Sequence, residues 1–238
     1  MNAIEIKDLK KKYNNFSLNI AELNIQKGDI VGFVGNNGAG KTTLFRLLLD
    51  LIRRDSGVVL INNQDITKCD SWRDNTSCFL DEGFLMDFLS VKEFLNFKAN
   101  IYHTSAESYK KAFDKWKTLF REDNSIYSKL IKDLSTGNKQ KVGIISSIIM
   151  TPKLLMLDEP FNYLDPTSQV DVMKLLQNLN KEEGTTILLS SHNLEYISEI
   201  SSRVILLENG SIMSDFEKSR GDVVASLKDY FYSCSQEI

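Results

Sequence analysis

The segment Gly35-Asn36-Asn37-Gly38-Ala39-Gly40-Lys41-Thr42-Thr43 combines residue types suited to holding phosphate. An apolar run (Ile30, Val31, Phe33, Val34) precedes it and Leu44-Phe45-Arg46-Leu47-Leu48 follows, so the order reads strand, glycine-rich turn, helix. Such a turn aims backbone N–H groups and the positive end of a helix dipole at one point, where a phosphate is stabilised. Gly35, Gly38 and Gly40 let the backbone bend and let phosphate oxygens approach closely. Lys41 can reach the β- and γ-phosphates, and the Thr42 hydroxyl can ligate Mg²⁺. The segment points to a nucleoside triphosphate.

A second group of candidates ends the apolar run Leu154-Leu155-Met156-Leu157 with Asp158-Glu159-Pro160. Ligands in open α/β sheets bind at the carboxyl ends of strands, where these two carboxylates would lie. Asp158 is placed to hold Mg²⁺ through water, and Glu159 to orient or deprotonate an attacking water. A third group is Leu134-Ser135-Thr136-Gly137-Asn138-Lys139-Gln140-Lys141, directly before the apolar stretch Val142 to Met150. A serine hydroxyl and the N–H groups that open a helix form another anion site.

With these three segments the chain resembles the ATP-binding-cassette family over roughly Ile4 to Met213. Leu134, Ser135, Gly137, Lys139 and Gln140 match its signature motif, with Thr136 standing where the first glycine usually is. Phe161-Asn162-Tyr163-Leu164-Asp165-Pro166 resembles the segment after the catalytic glutamate, and the resemblance puts Asp165 at a dimer interface. Ser190-Ser191-His192 resembles the segment whose histidine contacts the γ-phosphate. Tyr13 lies near the usual place of the aromatic that stacks on adenine, with Phe16 as its rival. Asp81 stands where the family commonly has glutamine, with Glu82 adjacent, and its role stays open.

The resemblance implies the nucleotide site. Gly35 to Thr43 and Tyr13 of one copy would bind ATP, closed over by Ser135, Thr136 and Gly137 of a second copy in a head-to-tail dimer. Glu159, His192 and Lys41 would be the catalytic residues, and Thr42 and Asp158 the Mg²⁺ ligands. The motifs look most like the separate ATPase subunits of bacterial bacitracin- and lantibiotic-type exporters. That likeness implies a separate transmembrane permease and a cytoplasmic position on the inner face of the cell membrane. Two alternatives stay open: a soluble cassette acting on a non-membrane partner, and a module that gates without hydrolysing.

The elements that must position these residues read as an α/β chain. Ile4-Glu5-Ile6 and Phe16 to Ile20 alternate as half-buried strands do, and Val58 to Ile61 is a further strand. Thr185 to Leu189 and Val204 to Leu207 join Leu154 to Leu157 as near-continuous apolar runs suited to a sheet covered on both faces. Helices are expected around Gln169 to Leu179, Asn193 to Ile200 and Val223 to Tyr232. Glu208-Asn209-Gly210-Ser211 reads as a hairpin turn. The fold class expected is a P-loop core with an N-terminal antiparallel β-subdomain, all within one domain over 1–238, and a helical subdomain inserted at about 85–150. Tyr109, Phe113, Trp116 and Phe120 recur on one helix face and read as core. Arg121 to Ser125 reads as the polar loop that closes that helix.

With 238 residues, 42% hydrophobic and 26% charged, the composition is that of a globular chain. A net charge of −3 leaves no basic excess for nucleic acid, so no such partner is expected. The N-terminal residues lack a long apolar core, so a secretory leader is not expected, nor is a membrane span, which needs about 18 or more apolar residues in a row. Cys69, Cys78 and Cys234 form no metal or disulfide spacing and read as free thiols.

Overall fold

The computed structural model describes residues 1–120 and 124–218. The expected C-terminal helix, Cys234, residues 121–123 of the expected polar loop and the Trp116 side chain lie outside the described residues. In chain order the structure forms β1 (Asn2–Lys12), β2 (Ser17–Gln26), β3 (Ile30–Val34), α1 (Lys41–Leu48), β4 (Ser56–Ile61) and β5 (Gln64–Asp65). There follow β6 (Thr76–Phe79), α2 (Val91–Ile101), α3 (Ala106–Leu119), α4 (Thr136–Ile148), β7 (Leu154–Asp158) and α5 (Pro166–Glu183). The last described elements are β8 (Thr186–Ser191), α6 (Leu194–Ile200), β9 (Arg203–Glu208) and β10 (Ser211–Glu217).

The chain divides into two compact units, Met1–Cys69 with the described residues from Leu188 onward, and Asp70–Ile187. In the first, β2, β1, β4 and β5 make an antiparallel sheet in that order. Ile4, Ile6 and Leu9 of β1 are fully buried, with Ile6 opposite both Leu23 and Val59, so the alternating pattern sets the register. The β1–β4 register shifts between Lys7 and Lys10, where Asp8 takes a positive φ of 49°. Gly57 meets this irregularity: a Cβ there would fall 2.3 Å from the Asp8 carbonyl oxygen. Asn62 and Asn63, both at positive φ, turn β4 into β5 as a two-residue hairpin.

Every residue of β3 is buried, and β3 runs parallel to β9, with Phe33 opposite Ile205. β9 continues into antiparallel β10 through Asn209 and Gly210, both at positive φ, as the Asn-Gly pair predicts. Gly32 lets α6 close on β3, because a Cβ there would sit 2.2 Å from Ile197.

The second unit pairs β6 parallel to β7, with Cys78 opposite Met156. α4 lies on this pair, and Gly143 leaves room for the Phe79 ring, which a Cβ would meet at 2.2 Å. α2 starts on a capping box in which Ser90 and Glu93 satisfy each other's backbone N–H groups. Phe120 is buried, while Tyr109 and Phe113 are half-buried and stack at 6.2 Å, with Phe113 also stacking on Tyr127 at 5.0 Å. The described members of the aromatic stripe are thus one buried and two half-buried rings. Ser125, expected in a loop, lies in a short 3-10 turn, Asn124–Ser128. Neither Cys69 nor Cys78 is held in a disulfide. Among the described residues no helix is long and apolar enough to cross a membrane.

Candidate functional site

In the first unit, β3 delivers Gly35 and α1 begins at Lys41, so Gly35 to Gly40 bridge strand and helix. Gly38 and Gly40 have φ of 84° and 107°, in the region that favours glycine. Gly35 is required for a second reason: a Cβ would lie 2.1 Å from the Leu207 carbonyl oxygen. The Gly210 N–H donates to Ala39 (2.9 Å), so the β9–β10 hairpin braces the loop. The tip, Asn36, Asn37 and Gly38, is exposed, while Ala39 is buried.

Gly40 caps α1 with no side-chain acceptor, and no acidic residue stands in the first turn. The helix therefore presents its N–H groups with nothing anionic of its own beside them, as an anion site needs. The Lys41 side chain is only 7% exposed and folds back over the loop, its ammonium donating to the Gly35 carbonyl at 2.6 Å and more weakly to that of Asn36 at 3.5 Å. Thr42 and Thr43 follow in the first turn, both half-buried. Phe16 is half-buried against this loop, its ring 2.7 Å from where a Gly40 Cβ would stand. Tyr13 is 43% exposed, its ring 6.4 Å from that of Phe16 and 5.5 Å from the Lys11 ammonium. Ser190 and Ser191, read as following a strand, are its last two residues, buried in β8. His192 is exposed just beyond them, ahead of Asn193, whose side chain caps α6.

In the second unit Asp158 ends β7 and is 7% exposed. Glu159, half-buried, has φ of 48°, a left-handed conformation that costs a non-glycine residue free energy and gathers at functional positions. The Gln140 side chain donates to the Glu159 carbonyl at 3.2 Å, and Gln169 donates to that of Phe161 at 3.1 Å. Asp165 caps α5 through the Ser168 N–H (3.0 Å), with Pro166 at the first helical position.

Ser135 caps α4, accepting from the Asn138 N–H at 3.3 Å. Ser135 and Thr136 are exposed and the first turn carries no acidic residue, so this helix tip too is open to an anion. Thr136 is the first helical residue and is not at positive φ, so a β-branched residue fits there. Gly137 is different: a Cβ would stand 2.6 Å from the Tyr163 carbonyl oxygen. Lys139 of the same turn sits 3.5 Å from the Glu82 carboxylate and 3.6 Å from that of Asp87. Asp81 is exposed, and its carboxylate caps the short turn Glu82–Phe84 by accepting from the Gly83 N–H at 2.8 Å.

The structure thus joins Ser135–Gly137 to the Glu159–Tyr163 segment. Reasoning from sequence missed this junction, whose only trace is the match of Gln140 to the motif.

The ABC transporter family matches residues 18–162. An uncharacterized ABC transporter ATP-binding protein of Methanocaldococcus jannaschii is 35% identical over 87% of this chain and 74% of its own length. A petrobactin import ATP-binding protein of Bacillus subtilis is 32% identical over 89% of this chain and 86% of its own. Among solved structures, an ATP-binding subunit of an ABC transporter superposes with a TM-score of 0.85 at 25% identity, covering 96% of this chain and 98% of that one. A dimeric, post-hydrolysis ATP-binding cassette bound to ADP and Pi shares the fold, with a TM-score of 0.80 at 23% identity over 92% of this chain and all of that one. The chain belongs to the ABC transporter family. It is an ATP-binding subunit with the cassette fold, and its class of chemistry is ATP hydrolysis.

Proposed function

We propose that this chain is the ATP-driven motor of a membrane transporter and works as a head-to-tail dimer. The observation that carries the reading is a pair of helix N-termini in one chain with no acidic residue in the first turn, one behind Gly35–Gly40 and one behind Ser135. ATP lies on Gly35 to Thr43 of one copy and is closed over by Ser135, Thr136 and Gly137 of the other. Lys41 leaves the Gly35 carbonyl for the β- and γ-phosphate oxygens, where an ammonium offsets more charge. His192 donates to the γ-phosphate. Glu159 takes the proton of the attacking water, which then adds in line to the γ-phosphorus as the bond to the β-phosphate oxygen breaks. Adenine stacks on Tyr13.

A Mg²⁺ ion takes few protein oxygens and keeps waters and phosphate ligands, so a hydroxyl and a carboxylate suit it. Thr42 and Asp158 would hold it, and it would supply neutralisation of phosphate charge.

The partner is a separate transmembrane permease. Phe84, Phe88, Phe97 and Ile101 of the second unit are exposed, Phe88 at 74%, with Phe97 and Ile101 one turn apart on α2, and exposed apolar side chains of this kind suit an apolar docking partner. The subunit then sits on the cytoplasmic face of the membrane. For direction we take export, from the resemblance to bacitracin- and lantibiotic-type ATPases. Cargo accumulation in inverted vesicles supports export, and ATP-dependent depletion from them reverses it.

Glu159→Gln tests the mechanism. Turnover should fall to background while ATP still binds and a dimer forms only with ATP, read by phosphate release and size-exclusion chromatography. Wild-type turnover in this variant would remove Glu159 as the base.

A further inference from the structure

We infer that Gln140 is a positioning residue that couples the Ser135–Gly137 helix tip to the base Glu159 of the same chain. The inference rests on the proposed mechanism and adds a link between its two half-sites.

Gln140 is 6% exposed, and its amide spends a donor on the Glu159 carbonyl. That carbonyl also accepts from the Asn162 N–H at 3.2 Å, which closes the turn following β7. Glu159 holds φ at 48°, so its backbone persists only where neighbours fix it. One turn earlier on α4, Gly137 lies against the Tyr163 carbonyl so closely that a methyl group does not fit. α4 therefore grips the catalytic segment at residues 159 and 163, while its N-terminal tip faces outward with Ser135.

α4 is one helix of thirteen residues, and close-packed interiors compress little and transmit strain. A phosphate seated at Ser135 by the partner's nucleotide thus displaces Gln140 and Gly137 with it. The Glu159 peptide follows, and the carboxylate acting on this chain's own nucleotide is brought into line. Each active site then reads whether the other is filled.

The test replaces Gln140 by Met, which keeps length and removes the donor. With the bond lost, kcat should fall about tenfold, while the Kd for ATP stays within about twofold. The double variant Q140M/E159Q should still dimerise with ATP, and the Hill coefficient of Q140M should drop toward one. A merely structural role would lower ATP binding and thermal stability along with kcat. If Q140M does not fold, Q140E carries the test: a carboxylate has no proton to donate to the Glu159 carbonyl, whereas a carboxylic acid does. Its turnover relative to wild type at the same pH should therefore rise as pH falls. Turnover of Q140M within about twofold of wild type overturns the proposal, as does a flat Q140E ratio. An inactive Glu159→Gln beside a wild-type Q140M removes the coupling alone, whereas an active Glu159→Gln removes the mechanism beneath it.

Discussion

Position 137 is pulled two ways. Within a helix alanine is preferred to glycine by about 1 kcal/mol, so Gly137→Ala should stabilise α4. Its Cβ, however, would come within 2.6 Å of the Tyr163 carbonyl, a backbone atom that no rotamer change can move aside. Tyr163 itself holds φ at 63°, already in the left-handed region. Overpacking of this kind costs about 1–3 kcal/mol, more than the helix gains. Gly137→Ala should therefore lower the urea midpoint and reduce turnover by displacing the segment that carries Glu159. A raised midpoint would show that Tyr163 yields freely and that glycine serves another need. The same comparison explains Thr136: its place in the motif commonly holds glycine, yet its φ is not positive and the position is exposed.

At the level of elements, the caps decide where the segment that begins at Glu159 ends. Asp165 starts the eighteen-residue helix α5 by accepting from the Ser168 backbone at 3.0 Å. Asp165→Ala leaves that N–H without its acceptor and should cost about 1 kcal/mol, seen as a lower urea midpoint with an unchanged slope. Loss of the cap also frees the stretch from Glu159 to Asp165, so turnover should fall with it. An unchanged midpoint would mean that the Asp165 cap adds nothing measurable to stability. Elements with regular apolar runs or turn residues were legible in the sequence: β3, β7, β8 and β9, the Asn209–Gly210 hairpin, and the glycine loop between β3 and α1. β6 was not. Thr76-Ser77-Cys78-Phe79 has neither alternation nor an aliphatic run, and Thr76 and Ser77 are nonetheless buried. Thr76 is accommodated because its hydroxyl donates to the Trp72 carbonyl at 2.7 Å, a bond that no periodicity announces. The site divides in the same way. Lys41, Asp158 and Glu159 stand at strand and helix ends that the pattern marks, whereas the Gln140–Glu159 bond joins residues far apart in sequence through one side chain. Only coordinates could show it.

For the molecule as a whole, acid stability follows from carboxylates whose pKa values folding moves in opposite directions. Asp65, in β5, is lowered from 3.8 to about 2. Burial works against this shift and is outweighed by hydrogen bonds from the Thr67 backbone, Arg54 and the Thr67 hydroxyl, together with the Arg54 charge. Asp55 and Glu93 are also lowered, Asp55 chiefly by the Lys12 N–H and the Lys11 ammonium, Glu93 by the Ser90 hydroxyl and backbone. A carboxylate lowered by folding binds its proton more weakly in the folded chain than in the unfolded one. Its contribution is complete above the ordinary value and is lost as pH falls toward the folded value. For Asp65 that window runs from 3.8 down to about 2. Asp29 acts in the opposite sense: burial raises its pKa against the Gln26 N–H and the Arg203 charge, so protonation relieves the folded state. Asp65→Asn keeps the shape and removes the titration. Stability measured by urea unfolding across pH should be lower than wild type at neutral pH, and the two curves should converge as pH falls through the window. Arg54 makes the difference specific: its guanidinium, 3.0 Å from Asp65, keeps only a weaker neutral acceptor in the variant. Curves that stay parallel from neutral pH to pH ~2 would place the acid sensitivity elsewhere in the molecule.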